Sequence, residues 1–229
     1  MTTTVVTGAN RGLGLEFVRQ CLDRGDNVIA GCRNPAEAKD LTALGPAKIL
    51  SLDVGHEESI EQFAASIDDH VDILINNAGT SATNLGLERG SAGVLNAPVD
   101  LTLDLIRING LSAASMTRSL LDHLGNGSQV VNITSQIGSM IVGARFDDLP
   151  YSTSKAVMNM VTVQLASQLR DKEITVVAFH PGWVRTDMGG SQADISTEES
   201  AVGILSTLEQ LGLEHSGSFL RWDGSTHPW

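Results

Sequence analysis

Apolar runs of strand length alternate along the chain with longer segments whose apolar residues recur at helical spacing. The runs at 3–7, 27–32, 48–53, 71–76, 129–134, 175–180 and 218–222 predict strands. Helices are predicted over 13–24, 35–44, 57–69, 101–124, 151–169 and 197–211. The strands are almost continuously apolar, as strands of a parallel sheet covered on both faces must be. Strand and helix alternate, which implies βαβ units with right-handed crossovers. The expected α/β fold is a single Rossmann-type doubly wound parallel sheet of about seven strands with helices on both faces. Stretches at 80–96, 138–150 and 187–196 read as loops that would line a substrate pocket, the last of them mobile. No repeat, low-complexity tract or linker divides the 229 residues, so one domain is expected.

Charge narrows the partners. Lys plus Arg is 15 against 27 for Asp plus Glu, a formal net charge of -12. Such a surface repels phosphate backbones, so no nucleic-acid partner is expected. Cys21 and Cys32 form no CxxC motif, and the six histidines are scattered, so neither a disulfide scaffold nor a metal site is expected. The beginning of the chain has no basic segment followed by an apolar stretch, and no run approaches the ~20 apolar residues of a membrane span. A soluble, cytoplasmic protein is the expectation.

The segment Thr7-Gly8-Ala9-Asn10-Arg11-Gly12-Leu13-Gly14 follows the first predicted strand and opens the first helix. Glycines there let the backbone turn tightly and approach a pyrophosphate, and the helix N-terminus supplies N–H donors. Gly8, Asn10, Arg11, Gly12, Leu13 and Gly14 are therefore candidate dinucleotide contacts. NAD enzymes usually carry an acid after the second strand, where it binds the ribose hydroxyls. Here Arg33 stands there instead. Arg33 and Arg11 together could clamp a 2′-phosphate, which points to NADP(H) in preference to NAD(H). A lone arginine would read equally well as a solvated surface residue.

Tyr151 and Lys155 are four apart and share one face of a helix, and Tyr151 is the chain's only tyrosine. The pair alone also fits a core tyrosine beside a snorkelling lysine. The strand before it ends in Thr134-Ser135, at the carboxyl edge where such sheets bind ligands. Asn109 lies inside a predicted helix, a locally unfavourable place for asparagine.

Taken in order, Thr7–Gly14, Asp53-Val54, Asn76-Asn77-Ala78-Gly79, Asn109, Ser135, the Tyr151/Lys155 pair and Pro181-Gly182 resemble the short-chain dehydrogenase/reductase family over nearly the whole chain. Cys32-Arg33-Asn34 and the segments beginning at Pro181 and at Trp222 are most similar to its carbonyl-reductase and C-factor-like branch. The resemblance implies an NADP(H)-dependent enzyme that reduces a ketone or aldehyde, reversibly, by hydride transfer. It implies that Tyr151 donates the proton, its phenol lowered from about 10 by the Lys155 ammonium and the oxidised nicotinamide. Lys155 would also hold the nicotinamide ribose, Ser135 the carbonyl oxygen, and Asn109 a water that feeds Lys155. Asn77, Ala78 and Gly79 would lie along the adenine-side ribose, and Asp53 and Val54 would meet the adenine. Pro181, Gly182, Val184 and Thr186 would line the nicotinamide, with Thr186 bonding its carboxamide. Ser135 stands further before Tyr151 than the serine of many relatives, and Ser139 stands nearer. Ser135 is preferred because it directly follows the strand. A homodimer or homotetramer is implied by the same resemblance. The rival expectation is a nicotinamide-binding redox-sensing or signalling protein with little turnover.

Overall fold

Successive residues of a strand point to opposite faces, so each apolar strand here feeds two cores. The computed structural model describes residues 1–88 and 92–229, and the part of the predicted loop at 89–91 lies outside the described residues. Among the described residues there are seven strands: β1 (Thr3–Thr7), β2 (Asn27–Cys32), β3 (Lys48–Ser51), β4 (Ile73–Asn76), β5 (Gln129–Ile133), β6 (Thr175–His180) and β7 (Phe219–Arg221). They form one parallel sheet in the order β3-β2-β1-β4-β5-β6-β7. The doubly wound α/β sheet expected from the hydrophobic pattern is the fold.

Val6, Ala30, Ile75, Val131 and Val177 face α1 (Gly12–Asp23), α2 (Lys39–Leu44) and α7 (Thr197–Leu208), and pack with Phe17, Leu41 and Ile204. Val5, Ile29, Leu74, Val130 and Val176 face the other way. They pack with Phe63 of α3 (Glu57–Ala65), Met116 of α5 (Ser112–Ser119) and Ala166 of α6 (Leu149–Gln168). A fully buried Phe or Ile in either core contributes about 1.5–3 kcal/mol relative to its exposed state. Among the described residues no helix is long and apolar enough to cross a membrane.

Three departures from the predicted elements have local causes. The helix predicted over 101–124 is instead α4 (Val99–Leu105), a π-helical segment Ile106–Leu111, and α5. Gly110 lets that segment lie against α6, because a Cβ there would come within 2.9 Å of the Ser154 carbonyl oxygen. The third strand ends at Ser51; the Leu52 N–H still donates to the Cys32 carbonyl (2.9 Å), and the Asp53 N–H, on the other edge, donates to Ser59 Oγ of α3 (2.9 Å) as the chain turns away. Helix α6 begins two residues before Tyr151, where the Asp148 carboxylate caps it.

Candidate active site

The chain leaves β1 for one half of the sheet and returns through β4 to the other, so the carboxyl ends of β1 and β4 flank the topological switch point. Gly8 (φ 65°) and Gly12 (φ 55°) occupy the left-handed region, which makes the turn into α1 possible. No side chain caps α1 at Arg11. Its first N–H groups are thus left for a ligand at the crevice. A Cβ at Gly14 would collide with the Gly8 carbonyl oxygen and the Asn77 amide. The Asn77 side chain donates to the Thr7 carbonyl (2.9 Å), and the Asn77 and Ala78 N–H groups donate to Thr7 Oγ1 at 3.0 and 2.9 Å. Asn77 and Ala78, expected along a ribose, thereby bind the end of β4 to the end of β1. Asn10 is exposed beside the turn, and Leu13 is buried beneath it.

The two arginines differ. Arg33, exposed after β2, has no side-chain hydrogen bond or ion pair among the described residues. Arg11 instead pairs with Asp187 at 2.9 Å. The structure thus leaves one guanidinium uncommitted and ties the other to the loop after β6. Asp53 and Val54 are half-buried past β3, and Asp53 Oδ1 accepts the Gly55 N–H (2.9 Å).

Pro181 and Gly182 (φ 86°) turn the chain out of β6, and Val184 pairs with Ile195 across the following loop. The Thr186 hydroxyl accepts the Gly189 N–H (3.1 Å), and its methyl group would lie 3.4 Å from a Cβ on Gly12. This loop therefore sits over the glycine turn. Arg11, Gly12, Arg185, Thr186, Asp187 and Thr197 line a cavity of about 460 Å³ between them. The cavity is separate from Tyr151.

At the start of α6, Asp148 Oδ1 accepts the Tyr151 N–H at 3.1 Å. One turn on, Lys155 is buried. Its Nζ donates to the Ile133 carbonyl (2.9 Å) and lies 5.8 Å from the centre of the Tyr151 ring. The expected shared face is formed. The acidic phenol is expected of Lys155 and the oxidised nicotinamide together; the protein groups alone act the other way. Burial, and secondarily the Asp148 carboxylate, push the Tyr151 phenol up, not down. Burial also lowers Lys155 to about 8.

The two candidate serines separate clearly. Ser139 is buried, donates to the Trp229 carbonyl oxygen (2.9 Å) and accepts the Ile141 and Val142 N–H groups. Ser135 is half-buried and only accepts a long bond from the Ile137 N–H (3.3 Å), so its hydroxyl proton is uncommitted. Asn109 is fully buried in the π-helical segment. Its amide accepts the Thr80 N–H (2.7 Å) and donates to the Thr80 carbonyl (2.8 Å) and to Ser154 Oγ (3.1 Å). Its side chain clamps the loop after Gly79 to α6, and both amide protons are used. Gly79 allows this, since a Cβ there would lie 3.1 Å from Asn109 Oδ1.

Several supporting groups were not singled out from the sequence. Asn76 donates to Asn132 (2.9 Å), and Asn132 donates to Thr162 of α6 (2.9 Å), a buried polar ladder beneath the site. Thr134 Oγ1 donates to Asn159 Oδ1 (2.7 Å), and Asn159 donates to the Gly138 carbonyl (3.1 Å), which fixes the loop carrying Ser135. Asp148 had a signal, an aspartate two residues ahead of Pro150 at a helix start.

Residues 2–196 match the family model described as short chain dehydrogenase. C-signal of Myxococcus xanthus is 36% identical over 161 residues, covering 69% of this chain and 93% of that protein. The 1-hydroxy-2-glutathionyl-2-methyl-3-butene dehydrogenase of Rhodococcus sp. (strain AD45) is 31% identical over 236 residues, covering 100% of each. The NADPH-bound carbonyl reductase from chicken fatty liver superposes with a TM-score of 0.89 at 31% identity, over 100% of this chain and 99% of that one.

Proposed function

The chain belongs to the short-chain dehydrogenase family, and on that footing we propose that it is an NADP(H)-dependent carbonyl reductase. The observation that carries this reading is the pair formed by half-buried Tyr151 and buried Lys155 one turn apart on α6, with Ser135 uncommitted at the end of β5. The chain's residues fit the cofactor. Gly8, Gly12 and the uncapped start of α1 form a cradle for a pyrophosphate, and Arg33 is an unpaired cation where an NAD enzyme would place a carboxylate. The NADPH in the chicken carbonyl reductase supports the same choice.

Bound NADPH supplies the hydride. Ser135 then holds the substrate's carbonyl oxygen through its free hydroxyl proton, and Tyr151 passes its phenolic proton to that oxygen as charge develops. Protonation by a phenol held neutral suits reduction, where an acid is required. Lys155 spends one donor on the Ile133 carbonyl and keeps two for a ribose hydroxyl. Asn109 fixes the loop beneath the cofactor, and Thr186, Val184, Pro181 and Gly182 form the far wall. Loops at 80–88, 92–96, 138–150 and 187–196 shape the substrate pocket of a single domain. Exposed Val99, Leu103, Leu111, Met160 and Val163 provide a face for a second subunit.

The test is loss of NADPH absorbance with a panel of ketones and aldehydes, comparing the wild type with Tyr151→Phe. Turnover by the wild type and a loss of about 100-fold or more in the variant are expected. A wild type that binds NADPH but turns over no carbonyl would replace this reading with that of a nicotinamide-binding signalling protein, which the similarity to C-signal favours.

A further inference from the structure

We propose that the two arginines of the crevice do different work: Arg33 alone reads the 2′-phosphate, while Arg11, paired with Asp187, clasps the loop after β6 over the glycine turn and retains either nicotinamide nucleotide. The inference rests on reading the crevice as a nucleotide site. The sheet order puts β2 and β6 on opposite sides of β1. Arg33 follows β2, where a dinucleotide places its adenine-side ribose. Arg11, immediately before α1, is drawn the other way. Its Nη1 donates to Asp187 Oδ2 at 2.9 Å, 176 residues on, in the loop after β6.

That loop is bonded chiefly to itself. The Trp183 indole N–H donates to the Gly189 carbonyl (2.9 Å), and the Gly190 N–H to the Thr186 carbonyl (2.8 Å). The Arg185 N–H donates to the Ile195 carbonyl (2.9 Å), and the Ile195 N–H to the Trp183 carbonyl (3.1 Å). The Arg185 guanidinium is spent on the Ala193 and Asp194 carbonyls at 3.0 and 3.1 Å. Near the loop's base, Ser200 Oγ of α7 donates to the Pro181 carbonyl (2.7 Å), and Arg185 lies 3.8 Å from Glu199. Beyond residue 185, the loop's one hydrogen bond or ion pair to another element, among the described residues, is that between Asp187 and Arg11. A self-bonded loop anchored at its base and tied at its tip by one pair can lift as a unit when the pair breaks. Glu16, the other carboxylate beside the pair, is engaged by Arg19 and Gln20. The Arg11 and Asp187 side chains are 57% and 78% exposed. Such a pair adds little to fold stability and breaks readily, as a clasp that must open for exchange requires.

The test is nucleotide release. Protein loaded with NADPH or NADH is mixed with excess NADP+, and the decay of bound-cofactor fluorescence is followed at about 0.15 M salt. Asp187→Asn is expected to release both nucleotides about two- to fivefold faster, by the same factor, which is the reach of an exposed pair. Asp194→Asn removes the same charge from an exposed loop residue without a side-chain partner, and is expected to leave release unchanged. Adding Asp187→Asn to Arg11→Gln should bring no further acceleration, because the pair is already broken. Unchanged or slower release in Asp187→Asn, or equal effects of the two aspartate variants, overturns the clasp and leaves the cofactor assignment standing. Arg11→Gln that weakens NADPH about tenfold more than NADH would return Arg11 to the phosphate and overturn the division of work. A wild type that retains neither nucleotide would refute the cofactor assignment, and the clasp with it.

Discussion

Acid should unfold this protein through His180 earlier than its carboxylates alone would require. The imidazole is 5% exposed at the end of β6, its Nδ1 has no partner among the described residues, and its ring packs edge-on to His227 at 5.6 Å. Burial, assisted by His227 and Arg221, pushes it from 6.5 to about 3. The unfolded chain takes up a proton at this residue below pH 6.5, whereas the folded chain refuses one until about pH 3. This contribution is therefore fully present above the unfolded value and is lost as pH falls between the two. The loss amounts to about 1.4 kcal/mol at pH 5.5 and about 2.7 kcal/mol at pH 4.5, relative to neutral pH. The check is urea unfolding followed by tryptophan fluorescence at about pH 7.5, 5.5 and 4.5, for the wild type and His180→Phe. Any packing difference between the two side chains is a constant offset across pH, and the carboxylates are common to both. Only the slope separates them, so the variant should lose less stability on acidification by these amounts. Parallel curves would refute the reasoning. The site should feel the loss as well, because the His180 carbonyl accepts the Trp222 N–H (2.9 Å) and Pro181 follows directly.

Two further outcomes follow from the site. Arg33→Asp should weaken NADPH binding by about 1.5–3 kcal/mol, the worth of one charge-assisted hydrogen bond, and narrow or reverse the preference over NADH; titration of cofactor fluorescence for both nucleotides measures this, and an unchanged ratio rules out Arg33 as the phosphate ligand. Ser135→Ala should reduce kcat by about 100-fold through loss of a donor to the carbonyl oxygen, whereas Ser139→Ala should retain turnover and lose about 1–2 kcal/mol of stability by freeing the Trp229 carbonyl and two N–H groups; steady-state kinetics beside urea unfolding distinguishes them, and the reverse pattern would reassign the serine.

The parts of the molecule that could be read in the sequence are those governed by spacing. Strand runs, the stripe Leu13, Phe17 and Cys21 on α1, the glycine turn and the four-residue step from Tyr151 to Lys155 are all encoded within a few neighbours. The unread parts depend on partners distant in sequence. Helical periodicity over 101–124 cannot register one wide turn, and the π-helical segment arises where Asn109 reaches Thr80 and Ser154, 29 and 45 residues away. Spacing offers Ser139 as an alternative to Ser135, and it cannot register that the Ser139 hydroxyl donates to Trp229, 90 residues on. The acidity of Tyr151 followed the same rule. A lysine one turn away and an oxidised nicotinamide suggest an acidic phenol, whereas desolvation within the fold, which spacing cannot register, acts in the opposite direction on the phenol and lowers the lysine. Asparagine inside a helix was nevertheless a valid signal, since a residue disfavoured by its own backbone must be retained by something else. What the helix could not disclose was that the partner is the backbone of a loop, so that Asn109 acts first by holding the ground on which a cofactor would rest.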